Sequence, residues 1–117
     1  MESGTVKGAI YGGSNQKGEI KGSTKINIKG GTVGTEGTSS DVIFSGGKGQ
    51  GTSINQTATL NVKDEKNNIN LYGSLYGGSA LGAVKNKSTV TVSDSISDIY
   101  KIFINGNIFA GGKVIYK

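Results

Sequence analysis

Polar and apolar residues alternate along three well-separated stretches of this chain. Thr24-Lys25-Ile26-Asn27-Ile28, Ala58-Thr59-Leu60-Asn61-Val62 and Ser88-Thr89-Val90-Thr91-Val92 each read small, polar, aliphatic, polar, aliphatic. A period of two places one set of side chains on each face of a β-strand, so one face is expected in the interior and the other in water. The expected buried set is Thr24, Ile26, Ile28 and their equivalents. Lys25/Thr59/Thr89 and Asn27/Asn61/Thr91 form the expected outward set. An aliphatic residue precedes each central one by six positions: Ile20, Ile54 and Val84. Turn formers fill the intervals, among them Gly12-Gly13-Ser14-Asn15, Gly30-Gly31, the glycines from Gly46 to Gly51, and Lys66-Asn67-Asn68. No stretch carries a helical apolar period, and the chain reads as all-β. Asp94 to Ile104 is the least regular segment, where a bulge or excursion is expected.

A second motif recurs four times. Ile10-Tyr11-Gly12-Gly13, Ile43-Phe44-Ser45-Gly46, Leu75-Tyr76-Gly77-Gly78 and Ile108-Phe109-Ala110-Gly111 are spaced by 33, 32 and 33 residues. Each runs aliphatic, aromatic, small, glycine. Four positions upstream lie Val6, Leu71 and Ile104, each followed two residues later by a glycine. The second copy offers only Ser39 and Asp41 there, which predicts an irregular rung. Self-similarity at a fixed period of this size is the mark of a stacked repeat.

Stacked as parallel strands, matched positions lie about 4.8 Å apart. The repeat then becomes a set of ladders: Ile10/Ile43/Leu75/Ile108 inside, and Tyr11/Phe44/Tyr76/Phe109 as an aromatic column. Glycines at fixed offsets mark corners that need positive φ or close approach of two backbones. A β-sandwich also gives short strands at regular intervals, but it has no reason to repeat corner glycines and one aromatic at the same offset. The predicted fold is therefore a parallel β-helix (β-solenoid) with a repeat of about 33 residues and about 3.5 coils, forming a single domain over residues 1–117. The period divides nearly in half, since Ile26 lies midway between Ile10 and Ile43. That leaves open one long coil or two short ones per period, with the unlike halves favouring the long coil.

Composition sharpens this picture mainly by subtraction. Apolar residues make up 33% of the 117 residues and glycine contributes 21, so a thin interior shared between repeats suits the chain better than one thick core. The chain contains no His, Cys, Trp, Pro or Arg. Disulfides, thiolate metal sites and histidine acid–base chemistry are excluded. No apolar run is long enough to span a membrane as a helix. The first residues carry no signal-peptide pattern. The net charge of +5 is all lysine on the basic side, whereas specific nucleic-acid readers lean on arginine. Specific nucleic-acid recognition is not expected.

The blocks Ile10 to Ser14, Leu75 to Gly82 and Thr89 to Val92 resemble the glycine-rich repeats of large bacterial cell-surface and adhesin-like proteins, over nearly the whole chain. That resemblance implies a right-handed parallel β-helix serving as an extracellular stalk or binding surface. It carries no catalytic residues and no cofactor.

Parallel β-helices also include polysaccharide lyases and hydrolases, so the acids need weighing. Glu2, Glu19, Glu36, Asp41, Asp64, Glu65, Asp94 and Asp98 fall mostly in turns at scattered register; Glu19 or Asp41 with Glu36 are the conceivable pairs. Gly46-Gly47-Lys48-Gly49 begins like a calcium-binding nonapeptide but has Gly51 where Asp is needed, and Gly47, Gly49 and Gly51 precede no helix that could cradle phosphate. The Thr array is interrupted by Lys25, Asn27 and Asn61, unlike a regular ice-binding grid. No catalytic, metal or cofactor site is predicted. The candidate ligand contacts are Tyr11, Phe44, Tyr76, Phe109, Lys25, Thr59 and Thr89, although two of the four stacked aromatics are phenylalanine, which favours that column as core. A basic face built from Lys21, Lys25, Lys29, Lys63, Lys85 and Lys87 is the further possibility; otherwise these charges guard the sheets against edge pairing.

The expected function is a non-catalytic structural module of a surface protein, a rigid rod or display surface. The alternatives are a glycan- or matrix-binding module and, further off, a polysaccharide-active enzyme. Expected partners are neighbouring repeats or copies of the chain stacked end to end, with a glycan or another surface protein as further candidates. The segment is read as a piece of a longer array or as an end-stacking subunit.

Overall fold

A computed structural model describes residues 1–37, 40–93 and 99–112. Thirteen strands occur among these residues: β1 (Thr5–Val6), β2 (Ile10–Tyr11), β3 (Lys17–Ile20), β4 (Thr24–Ile28), β5 (Gly31–Gly34), β6 (Ser40–Phe44), β7 (Gly51–Ile54), β8 (Thr57–Lys63), β9 (Ile69–Tyr76), β10 (Ala83–Val84), β11 (Lys87–Ser93), β12 (Ile102–Ile104) and β13 (Ile108–Phe109). No helix is present among the described residues. The protein is all-β, and every strand pairing is parallel.

The strands form three sheets that the chain visits in a fixed order. β1 and β2 belong to the first sheet, β3 to the second and β4 to the third; the sequence of visits repeats through β11 before β12 and β13 return to the first. In the third sheet β8 lies between β4 and β11, with Ile26, Leu60 and Val90 in register. In the second sheet Ile20, Ile54 and Val84 align. β9 is the long strand of the first sheet: its N-terminal half pairs with β5 and β12 and its C-terminal half with β6 and β13.

Ile10 is matched to Ile43, Ile43 to Leu75, and Leu75 to Ile108, which is the ladder expected from the repeated motif. Ile10 is matched to Ile43 and not to Ile26, so 33 residues of chain separate these neighbouring strands. The separation is not uniform elsewhere. It is 34 and then 30 residues along Ile26, Leu60 and Val90, and 27, 38 and 33 along Val6, Val33, Leu71 and Ile104.

This last row explains why the second copy looks broken in the sequence. Its inward residue is Val33, ten positions before Ile43, where the other three circuits have four. The extra chain leaves the sheet at Gly34, whose φ of +90° disfavours any residue with a Cβ. The turn after β4 is correspondingly short, five residues from Ile28 to Val33 against nine from Val62 to Leu71, and the register is recovered by Ile43.

Alternation places the interior where the pattern predicts. Along β8 every second residue is buried, and β9 follows the same pattern up to its end. Ile28, Val33, Val42, Ile43, Leu60, Val62, Ile69, Leu71 and Leu75 form one continuous cluster, all almost wholly shielded from water. Val42 belongs to it through an irregularity between Asp41 and Ile43, where an extra residue turns inward. Burying each such side chain contributes about 1.5–3 kcal/mol. In β11 the burial weakens, and Val92, expected inside, is 38% exposed. Asp94 to Asp98, the first part of the segment expected to be irregular, lies outside the described residues.

Glycines at the repeated offset serve close approach. A Cβ on Gly12 would run into the Ser45 carbonyl oxygen, and one on Gly77 into that of Ala110. The positive φ angles fall elsewhere, at Gly34 and five other glycines.

Leu75→Ala, at the centre of the ladder and 0% exposed, is expected to lose about 2–5 kcal/mol of stability in urea denaturation. Ile108→Ala, on the half-exposed last rung, is expected to lose less than half as much.

Candidate binding surfaces

Tyr11, Phe44, Tyr76 and Phe109 stand in one column because β2, β6, β9 and β13 are in register. Their ring centroids are 5.1, 4.7 and 4.8 Å apart and their planes differ by 1°, 6° and 11°. The backbone ladder dictates this spacing, since strands in a sheet lie about 4.8 Å apart. Identical side-chain directions then stack the rings face over face, although isolated aromatic pairs favour offset or edge-on contacts. Phe44 and Tyr76 are buried, Tyr11 is half-buried, and Phe109 is 42% exposed. The Tyr76 hydroxyl donates to Asp41 Oδ1 at 2.9 Å, and Lys48 Nζ lies 5.8 Å from the Tyr11 ring centre. The column is thus a packed seam whose two inner rings are withdrawn from any ligand. Of the four expected contacts in it, only Phe109 presents much surface.

The outward row Lys25, Thr59 and Thr89 is brought together on the third sheet, with Lys25 exposed and both threonines half-buried. Beside it runs Asn27, Asn61 and Thr91, where the Asn61 amide donates to Asn27 Oδ1 at 3.1 Å. A shallow cavity of about 270 Å³ opens at the end of these rows, lined by Asn27, Asn61, Thr91, Lys29, Lys63 and Glu65, among others. Glu65 faces two lysines there, Lys63 at 3.5 Å and Lys29 at 3.9 Å. Exposed pairs of this kind contribute little stability. They do neutralise part of the basic face: two of the six lysines expected to form it share one carboxylate.

Among the described residues the acids considered as pairs lie on different elements. Glu19 lies in β3 of the second sheet and Glu36 in the turn after β5 of the first, while Asp41 lines a different cavity from Glu36. No group of three potential metal ligands occurs among the described residues. Asp94 and Asp98 lie outside them.

A further concavity was not foreseen from the repeat. It is a cavity of about 370 Å³ on the outer face of the first sheet, lined by Glu36, Gly37, Asn70, Tyr72, Phe103 and Asn105. β9 and β12 position it. Phe103 is matched to Asn70, while the neighbouring Leu71 and Ile104 are matched in the core row. Tyr72 and Phe103 meet diagonally across the two strands, ring centres 5.9 Å apart and planes tilted by 56°. Tyr72 is matched on its other side to Gly34, which offers it no side chain, and the turn that begins there brings Glu36 and Gly37 to the wall. Tyr72 and Phe103 escape a search for periodicity because they are 31 residues apart and occupy different offsets. The available signal was an aromatic at an outward position of a strand, next to a break in the repeat.

Comparison with known protein families, curated sequences and solved structures finds no match.

Phe44→Ala is expected to cost about 3–5 kcal/mol, as for a large buried aromatic, and Phe109→Ala much less. Equilibrium denaturation of the two variants checks whether the seam is structural at its centre and accessible at its end.

Proposed function

We propose that this chain is a parallel β-helix with a repeat of about 33 residues, acting as a non-catalytic structural module of a bacterial surface protein. The observation that carries the reading is the row Ile10, Ile43, Leu75 and Ile108, matched strand to strand through four successive circuits. A stack of this kind is rigid along its axis because each circuit is tied to the next by parallel backbone hydrogen bonds and by side-chain ladders. Its outer faces present short rows of Lys, Thr and Asn, the arrangement of a display surface. The scattered register of the acids in the sequence favours this reading over a polysaccharide-cleaving one. A location outside the cell follows from the resemblance of the glycine-rich blocks to surface-protein repeats.

The proposed partners are neighbouring repeats or further copies of the chain, joined end to end. Ile108 and Phe109 support this: they are 48% and 42% exposed, and among the described residues β13 pairs on one side only. Another circuit would cover them with the same aliphatic and aromatic rows.

Duplication of residues 43–74 in tandem tests the reading directly. A β-helix is expected to accept the added circuit, unfold in one transition and lengthen by about 4.8 Å in small-angle scattering. Insertion of 16 residues, half of that unit, is expected to abolish the ordered stack. Failure of the full duplication to fold, or folding without lengthening, would count against the proposal. Release of unsaturated or reducing sugar ends from polyuronides would replace it with an enzymatic one.

A further inference from the structure

We propose that the cavity bounded by Tyr72, Phe103, Asn70, Asn105 and Glu36 is a binding site for a neutral pyranose of a glycan chain. This does not depend on the rod reading, since the site lies on the outer face of the first sheet.

The two rings supply the first requirement. Half-buried Tyr72 and 52%-exposed Phe103 touch along an angle of 56°, forming an apolar corner in place of a flat stack. Exposing a large aromatic at an outward position of a strand is unfavourable in water, where the neighbouring rows carry Thr and Asn. One face of a pyranose is a patch of C–H groups, and it covers such a ring without dehydrating a charge.

The polar rim supplies the second. Asn70 and Asn105 each bring an amide with two donors and an acceptor, and Glu36 brings two acceptors. Vicinal sugar hydroxyls both donate and accept, so amides and a carboxylate pair with them fully. The cavity volume of about 370 Å³ suits one sugar unit and lies at the small end of ligand pockets.

Other occupants fit less well. Among the described residues no lysine lines the cavity although the chain carries 13, so an anion finds no counter-charge from them there. A divalent cation prefers several oxygen ligands and would meet one carboxylate. A methylammonium group needs rings held apart to enclose it, whereas these rings are in contact with each other.

The position has a structural logic as well. The turn that departs at Gly34 is where the second circuit is six residues longer than its neighbours between the matched inward positions. Without it the outer face of this sheet would be an open surface. The break in the repeat therefore builds the wall of the site.

Saturation-transfer NMR with cellohexaose, chitohexaose, mannohexaose and maltohexaose, each at millimolar concentration, tests the proposal, with polygalacturonate as the anionic comparison. At least one neutral hexasaccharide is expected to receive saturation, strongest at its ring C–H protons. Phe103→Ala is expected to weaken that binding about tenfold or more, and Asn105→Ala to weaken it by a smaller factor. Leu81→Ala, which removes an exposed apolar side chain outside the cavity's lining, is expected to leave it unchanged. Circular dichroism and denaturation midpoints establish that each variant folds; because Phe103 and Asn105 point outward, both should. Tyr72→Phe keeps the ring and is expected to retain binding. Absence of transfer to all four neutral sugars overturns the proposal. So does binding that survives Phe103→Ala, or binding confined to polygalacturonate.

Discussion

The interaction on which everything else depends is the parallel backbone ladder between successive circuits of the chain. Each strand hydrogen-bonds to residues about one circuit away, so backbone groups are satisfied by neighbours distant in sequence. With backbone polar groups accounted for in this way, a narrow row of aliphatic side chains is enough to form an interior. That is how a chain only one-third apolar fills a cluster running from Ile28 to Leu75. The same ladder sets the distance between rings in the aromatic seam and aligns Asn27 beneath Asn61 for an amide-to-amide bond.

Glycine is the means by which the circuits come this close. At Gly12 and Gly77 the backbone of the next circuit occupies the place a Cβ would take, and the two positions are equivalent in the repeat. Gly34 has a positive φ, and the chain departs from the first sheet there before β6.

Much of this was legible in the sequence. The alternation in Thr24 to Ile28 and its two equivalents identified strands and faces, and the four aliphatic–aromatic–small–glycine blocks identified the rows Ile10/Ile43/Leu75/Ile108 and Tyr11/Phe44/Tyr76/Phe109. These signals survive because each residue in a row meets the same environment and is held to the same type. The inward role of Val33 was hidden, since its row is matched across 27 and then 38 residues. Burial in the aromatic column was favoured by its two phenylalanines, but which rings are buried depends on the rings stacked above and below. Tyr72 and Phe103 were missed for a related reason. A contact diagonal to the ladder joins different offsets, so a comparison of equivalent positions passes over it.

Direct superposition of matched residues on neighbouring strands underlies both the fold and the proposed rod. Methyl-to-methyl nuclear Overhauser contacts from Leu75 measure this most directly in solution. Strong cross-peaks are expected from the Leu75 methyls to those of both Ile43 and Ile108, with Ile10 one rung too far for a comparable signal. Leu75 methyls that contact neither isoleucine, or backbone contacts of an antiparallel hairpin through these residues, would contradict it.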